Sequence, residues 1–368
     1  MKTIRTIITK LGAAALMAAA TATGISLADD RLALEPGQRV IIAGNTFAER
    51  MALYGYFETA LHCAYPEHKL VMRNLGWSAD EVDLLPRPDH TGTFEENLAW
   101  HRAEVIFLCF GMNESFGGME KIGEWRQRLT KFVEGLGDAR FNGMSAAKLV
   151  LVSPVAHEDL GAPLPTGRAV EDHNRLLESY TAVMREVAES KGLLFVDLFE
   201  PMRKLLPEGG AGGRKLTVNG IHLNELGYFH ASNAMARALG LTEVAAASAG
   251  GNVEGAGADK LRRAIHEKNY FHQLCWRPLN PYYIWGGRAW CWAADRPMDE
   301  LEQIGHTVRE RDEAIWAAKK PPVDQVWAAA PEGPEIWETP VEYADPTLPA
   351  KGAAQEMATV RRNGARPK

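Results

Sequence analysis

The chain has 368 residues, of which 46% are hydrophobic and 24% charged, and its formal net charge is −6. This composition is ordinary for a globular protein, and the length exceeds that of one typical domain. The negative charge gives no electrostatic basis for binding nucleic acid or an anionic membrane surface, so we expect neither as a partner.

The N-terminus has the pattern of a secretory signal peptide. Lys2, Arg5 and Lys10 precede an apolar stretch at 11–20, and Ser26-Leu27-Ala28 offers small residues for cleavage. We therefore predict export to the periplasm or the extracellular space, with cleavage after Ala28 and residues 1–28 removed. The alternative, an N-terminal membrane anchor, requires a longer uninterrupted apolar stretch, so we expect no stable membrane insertion.

Residues 29–241 are predicted to form one α/β domain, because short apolar runs alternate with amphipathic helical patterns. The runs lack strict alternation, which is typical of strands covered on both faces. The expected strands are Arg39–Ala43, Lys69–Arg73, Glu104–Phe110, Lys148–Val152 and Leu193–Asp197. The clearest helical patterns are Phe47–Cys63, Ile122–Glu134 and Asn174–Ser190. This order predicts a three-layer α/β/α fold around a five-stranded parallel sheet.

The remaining chain divides by composition. Residues 242–258, rich in Ala, Gly and Ser, are predicted to be a linker. A helical extension at 259–320 should contain helices near Ala258–Leu274 and Met298–Lys319. The Pro-rich tail at 321–368 is predicted to be extended or disordered.

An unusual aromatic stretch runs from Tyr270 to Trp292 within the extension. Its rings either form a lid or sugar-stacking platform over a site, or pack the extension onto the α/β domain, and the second interpretation is favoured. Cys275 and Cys291 lie within this stretch and could form a disulfide, which the spacing alone does not decide.

Four short segments follow the predicted strands in fixed order. They are Gly44-Asn45-Thr46, Asn74-Leu75-Gly76, Gly111-Met112-Asn113-Glu114 and Asn219-Gly220-Ile221-His222. In open α/β sheets, ligands bind outside the carboxyl ends of the strands. We therefore expect a hydroxyl, oxyanion donors and an imidazole to converge on one crevice, as acyl transfer requires.

These segments resemble the blocks of the SGNH (GDSL-type) hydrolase family, which are Gly-Asp-Ser, a lone Gly, Gly-x-Asn-Asp and Asp-x-x-His. Gly76, Asn113 and His222 match residue for residue, and the resemblance covers about residues 38–240. It implies the family's flavodoxin-like fold. It also implies Thr46 as the nucleophile and His222 as the general base.

In this family the oxyanion is held by the nucleophile's N–H, the second-block Gly N–H and the third-block Asn side chain. The resemblance places these donors at Thr46, Gly76 and Asn113, where each donor supplies roughly 3–4 kcal/mol. Asn219 would orient His222 in the tautomer that catalysis needs.

Two positions depart from the family pattern. Thr46 stands where the family has Ser, and its methyl group stiffens χ1 and crowds the attack. Asn219 replaces the acid, and an amide cannot stabilise an imidazolium by charge. Glu114 for Asp is conservative, and we regard Glu114, Asn45 and Trp77 as candidate substrate-binding residues.

We expect an exported hydrolase that cleaves a small-molecule or glycan ester, with a small acyl group on a carbohydrate as the expected substrate. The alternatives are a non-catalytic relative that binds a glycan or acylated ligand, and a structural module of an envelope assembly. No metal-binding pattern is present, and we expect neither a metal nor a cofactor. The sequence does not define an oligomeric state.

Overall fold

The computed structural model describes residues 31–88, 91–206, 213–241, 256–278, 284 and 296–331. Its centre is a five-stranded parallel sheet with the order β2-β1-β3-β4-β5. The strands are β1 Arg39–Gly44, β2 Val71–Asn74, β3 Val105–Cys109, β4 Lys148–Val152 and β5 Leu194–Val196. The predicted sheet is confirmed, with strand ends shifted by one or a few residues.

Ten α-helices surround the sheet in the described ranges. They are α1 Thr46–Tyr54, α2 Tyr56–Ala64, α3 Phe94–Trp100, α4 Met112–Ser115, α5 Ile122–Gly137, α6 Arg168–Lys191, α7 Phe199–Leu205, α8 Glu225–Ala238, α9 Ala256–Trp276 and α10 Arg296–Ala317. Short 3₁₀ turns occur at Met119–Lys121 and Val323–Trp327. None of these helices is both long and apolar enough to cross a bilayer.

Two cores cover the two faces of the sheet. Successive residues of β1 alternate between them, with Val40 and Ile42 in one core and Ile41 and Ala43 in the other. This alternation follows from the two-residue period of a strand. The first core contains side chains of α1, α2, α8 and α9, and the second contains those of α3, α5 and α6. The three-layer α/β/α fold is confirmed.

The predicted helix Phe47–Cys63 is interrupted by Gly55, which separates α1 from α2. Gly55 adopts a left-handed conformation (φ +65°), and a Cβ there would lie 3.0 Å from the His266 ring. A glycine therefore ends α1, and its lack of a side chain allows His266 of the extension to pack closely at this point. The apolar pattern continues through the break, so periodicity alone predicted one helix.

The helical extension shares the core of the α/β domain. Leu261 and Ile265 of α9 belong to the first core, and α9 begins at Ala256, inside the predicted linker. Residues 242–255 lie outside the described residues. In the predicted tail, Val323 and Val326 are buried and Trp327 packs edge-on against Phe229.

Parts of the aromatic stretch pack as well. Phe271 is buried, and Trp276 meets Trp77 at 5.9 Å. The Cys275 Sγ lies 3.8 Å from the Leu301 carbonyl. Cys291 and the signal-peptide residues lie outside the described residues.

Buried charges join α9 and α10 to the α/β domain. Lys268 is fully buried, and its Nζ donates to Glu58 Oε1 (2.5 Å) and to the Met72 carbonyl (3.1 Å). Burial opposes the charged form of Glu58, but Lys268 outweighs this effect and the pKa of Glu58 is lowered. Arg73 forms a bidentate pair with Asp312 of α10.

Lys268→Met should destabilise the protein by about 3–5 kcal/mol, because it leaves the Glu58 carboxylate buried without its cation. Urea unfolding of the purified protein measures this loss. Adding Glu58→Leu should restore part of the stability, and Lys260→Met, at an exposed position on the same helix, should change it little. Equal unfolding midpoints for Lys268→Met and Lys260→Met would contradict this account of the interface.

Candidate active site

The first motif segment lies where β1 ends and α1 begins. Gly44 has φ +133°, and a Cβ there would lie 2.1 Å from the Cys109 carbonyl oxygen. Asn45 Oδ1 accepts a hydrogen bond from the Phe47 N–H (3.0 Å) and caps α1. Asn45 lines the crevice, but its oxygen serves this cap, which differs from the predicted substrate contact.

Thr46 is the first residue of α1 and is half-buried at the carboxyl edge of the sheet. In the described part of the chain, neither its hydroxyl nor its backbone N–H has a hydrogen-bond partner. An N–H in the first turn of a helix has no intrahelical acceptor. Thr46 therefore offers two unengaged polar groups to a ligand.

The third segment forms α4 directly after β3. The Asn113 Nδ2 donates to the Asp80 carbonyl (3.0 Å), which leaves its second amide hydrogen available. Glu114 is buried and accepts from the N–H groups of Gly111 (2.8 Å) and Val82 (3.2 Å). Desolvation raises the pKa of Glu114 to about 7. Glu114 holds the turn that presents Asn113, and a substrate-binding role does not fit this burial.

Gly76 is placed differently from the prediction. Its N–H donates to Asn74 Oδ1 (2.8 Å), and a Cβ would lie 2.3 Å from the Glu49 nitrogen of α1. The glycine is therefore required for close packing against α1, and its N–H is already engaged. The structure therefore does not bring Gly76 into the cavity that Thr46 and His222 line, and its oxyanion role stays a prediction.

Ala79, three residues later, has an N–H without an acceptor among the described residues. It adopts φ +65°, a conformation that non-glycine residues rarely adopt, and it precedes Asp80, which Asn113 binds. Strain of this kind clusters at functional sites. No local sequence pattern marks Ala79, because the conformation of a non-glycine residue is set by its tertiary contacts.

Trp77 packs the extension onto this loop. The guanidinium groups of Arg277 and Arg87 lie 4.1 and 4.5 Å from its ring centroid, and Trp276 meets it edge-on. These cation–π contacts stabilise the loop. Trp77 is thus engaged with protein side chains, in contrast to the predicted substrate contact.

Asn219 and His222 are brought together in the fourth segment. Asn219 Oδ1 accepts from the backbone N–H groups of His222 (3.0 Å) and Ile221 (3.4 Å). The other end of the amide, Nδ2, lies 2.9 Å from His222 Nδ1. Because Nδ2 carries only hydrogens, it must donate, and Nδ1 must accept.

This hydrogen bond fixes the proton on the neutral imidazole. With Nδ1 as acceptor, the proton resides on Nε2. An aspartate could accept both from the backbone and from Nδ1–H, whereas the amide presents a donor to Nδ1. Asn219 therefore selects the tautomer opposite to the one predicted, and His222 Nε2 is a donor in the resting state.

The charge around His222 comes from α1. Burial lowers the pKa of His222, the positive charge of Arg50 lowers it further, and Glu49 opposes this effect. Glu49 is engaged with Arg277 and Ser78. Arg50 is half-buried and has no ion pair among the described residues. His222 is thus held neutral near physiological pH.

Buried polar groups hold the loop that carries His222. The Glu158 carboxylate accepts from Leu216 N–H (3.1 Å), Thr217 N–H (2.8 Å) and the Thr217 hydroxyl (2.6 Å). Thr217 Oγ1 in turn accepts from the Gly220 N–H (3.0 Å). The sequence analysis did not identify Glu158, because a carboxylate that binds a distant loop has no local pattern.

A second buried chain reaches the same loop. Ser115 Oγ lies 3.0 Å from His173 Nε2, and the Nδ1 atoms of His173 and His157 lie 2.9 Å apart. A Cβ at Gly220 would lie 2.6 Å from His157 Nε2. Ser115 donates to the Met112 carbonyl (2.7 Å), so its oxygen accepts from His173. This chain connects α4, which carries Asn113, with the turn before His222.

Thr46, Asn113 and His222 line one small cavity. The volume of this cavity is about 20 Å³. Its apolar walls include Phe47, Met112, Val155, Ile221 and Tyr228. Space for about one water needs roughly 10–15 Å³, so the cavity admits only a small group.

Within the described ranges, no three His, Cys, Asp or Glu side chains cluster as metal ligands would. The polar groups of the cavity are nitrogen and hydroxyl donors. Its chemistry suits a carbonyl or carboxylate oxygen.

Three solved structures are similar to this chain. An acetylxylan esterase from Geobacillus stearothermophilus is 17% identical, with 57% of this chain and 97% of that chain covered and a TM-score of 0.44. A gut microbial diltiazem-metabolizing enzyme is 18% identical, with 56% and 48% covered and a TM-score of 0.44. An alpha/beta hydrolase from the metagenome of Lake Arreo, Spain, is 17% identical, with 56% and 97% covered and a TM-score of 0.43. No curated protein sequence is significantly similar.

The family model for GDSL-like lipases and acylhydrolases matches residues 42–229, half of the chain. The match spans β1 to α8 and includes all four motif segments. The chain therefore belongs to the GDSL-like lipase/acylhydrolase family and is an SGNH-type ester hydrolase.

Proposed function

We propose that this protein is an exported esterase that removes a small acyl group from a carbohydrate. The observation that carries the proposal is the meeting of the Thr46 hydroxyl, the Asn113 amide and the His222 imidazole around one cavity. The N-terminal pattern supports export, and the family resemblance supports a carbohydrate ester.

The size of the cavity supports a small acyl group. Its open volume of about 20 Å³ and its apolar walls suit a methyl or similarly short chain. A long acyl chain would require Phe47 or Met112 to move. The alcohol part of the ester must therefore lie outside the cavity.

In the proposed reaction, the Thr46 oxygen attacks the ester carbonyl carbon while His222 Nε2 takes the hydroxyl proton. The Thr46 N–H and the free Asn113 amide hydrogen bind the developing oxyanion. Collapse breaks the bond to the alcohol, which takes the proton from His222. A water molecule, deprotonated by His222, then releases the acid from Thr46.

The resting tautomer slows this reaction. His222 Nε2 can accept a proton only when Nδ1 carries one, and Asn219 Nδ2 then faces an N–H instead of an acceptor. Rotating the amide would turn its NH₂ group toward the N–H groups of Ile221 and His222. In serine proteases with a Ser-His-Asp triad, the equivalent replacement of Asp by Asn lowers kcat by about 10⁴.

The resting tautomer of His222 favours a second function, which is the binding of a ligand without hydrolysis. In the resting state the cavity offers hydrogen-bond donors from Thr46, Asn113 and His222 Nε2. Donors hold a carbonyl or carboxylate oxygen without removing a proton. A binding role for acylated glycans would use this state, and activity measurements on variants separate the two functions.

Thr46→Ala and His222→Ala should each reduce p-nitrophenyl acetate hydrolysis by about 100-fold or more, because each removes one partner of the proton transfer. Thr46→Ser should retain or raise the rate, because the crowding methyl group is lost. The purified mature protein is assayed, with His306→Ala, an exposed histidine, as the control. Unchanged rates in Thr46→Ala and His222→Ala would refute the esterase mechanism.

Asn219→Asp should raise kcat by at least about tenfold and up to about 10⁴-fold, because a carboxylate accepts from Nδ1–H and frees Nε2 as a base. The same assay measures the gain, and circular dichroism confirms folding. Asn219→Ala, which removes the amide without adding an acceptor, should not show the gain. A rate for Asn219→Asp at or below that of the unaltered protein would show that the tautomer does not limit catalysis.

The acid limb of kcat/KM against pH should have a pKa below 6.5, because burial and Arg50 lower the pKa of His222. The base form then persists into mildly acidic solution. Arg50→Gln removes a positive charge and should move this limb to higher pH, whereas Arg126→Gln, a remote charge change, should not. A limb that moves to lower pH in Arg50→Gln would contradict the assignment.

A further inference from the structure

Arg50 is an uncompensated positive charge beside the active site. It lies four residues after Thr46 in α1, and residues four apart share one face of a helix. Its side chain is half-buried, with no ion pair or hydrogen bond among the described residues. A fully exposed arginine is solvated by water, but a partly buried guanidinium loses some of that solvation.

The nearby carboxylates are engaged elsewhere. Glu49, the preceding residue, forms an ion pair with Arg277 and accepts from Ser78. Glu225 accepts from the Tyr56 hydroxyl (2.9 Å) and lies 3.5 Å from Arg262. Neither carboxylate therefore forms an ion pair with Arg50.

Helix geometry places this charge one turn from Thr46, which lines the cavity. Two residues that line the cavity feel this charge. Burial lowers the pKa of His222 and Arg50 lowers it further, whereas burial raises the pKa of Tyr228 and Arg50 opposes that rise. Phe47 of the same helix stacks on Tyr228, and the Tyr228 hydroxyl donates to the Phe47 carbonyl (3.0 Å). The helix that carries Arg50 is thus fixed against the cavity wall.

We propose that Arg50 binds a monoanionic group on the alcohol part of the substrate, so that the preferred substrate is an acyl ester of an acidic sugar. This inference rests on the proposed esterase function and names its substrate class. In the proposed reaction the acyl group fills the small cavity, which places the anion on the alcohol side. One unpaired cation neutralises one negative charge, and the planar guanidinium fits a carboxylate or a sulfate monoester.

The test compares matched sugars that differ in one group. The esters are O-acetylated methyl glucuronoside, O-acetylated methyl glucoside and its 6-sulfate. We expect kcat/KM for an anionic ester to exceed that for the neutral one by about tenfold or more, as for a charge-assisted hydrogen bond. Arg50→Gln should bring this ratio close to one, and Arg50→Lys should retain part of it.

Arg126→Gln removes an equal charge from an exposed position on α5 and should leave the ratio unchanged. A ratio that is the same in the unaltered protein and in Arg50→Gln would overturn the inference. Whichever anionic ester shows the larger ratio identifies the bound group.

Calorimetry with the unacetylated sugars separates this inference from the proposed function. If no ester is hydrolysed but the unaltered protein binds methyl glucuronoside or the 6-sulfate more tightly than methyl glucoside, and Arg50→Gln does not, the inference holds and the esterase proposal fails. If the neutral and anionic esters are hydrolysed equally well, the inference fails and the esterase proposal holds.

Discussion

The chemistry of this site depends on one hydrogen bond, from Asn219 Nδ2 to His222 Nδ1. Its direction is set by the backbone, because the N–H groups of Ile221 and His222 claim the amide oxygen. A carboxylate could accept from these backbone N–H groups with one oxygen and from the imidazole Nδ1–H with the other. An amide has only one acceptor oxygen. A single replacement of oxygen by nitrogen therefore changes the proton-accepting atom of the imidazole into a donor, while the surrounding geometry is kept.

The fold and the position of the crevice could be predicted from the sequence. The strands are short, apolar and buried on both faces, so their composition identifies them, and their order along the chain determines a parallel sheet. Motif residues after each strand must then meet at one edge, as Thr46, Asn113 and His222 do. The match of Asn113 and His222 to the family pattern carried most of this prediction.

The details of the site depend on tertiary contacts that have no local pattern. The N–H of Gly76 is engaged by Asn74, two residues earlier in the same loop. Glu158 organises a loop more than fifty residues away along the chain. The direction of the Asn219 amide follows from neighbouring backbone donors, which a sequence does not display. Residue types were thus predictable, whereas donor and acceptor directions were not.

The proposed chemistry depends most on the tautomer of His222. Nitrogen NMR of the ¹⁵N-histidine-labelled protein at pH 8 tests this tautomer most directly, and a His222→Gln variant assigns the His222 signals. Nε2 and Nδ1 of a neutral imidazole have different chemical shifts according to which one is protonated. The account predicts that His222 carries its proton on Nε2. A His222 signal showing the proton on Nδ1 would contradict the account.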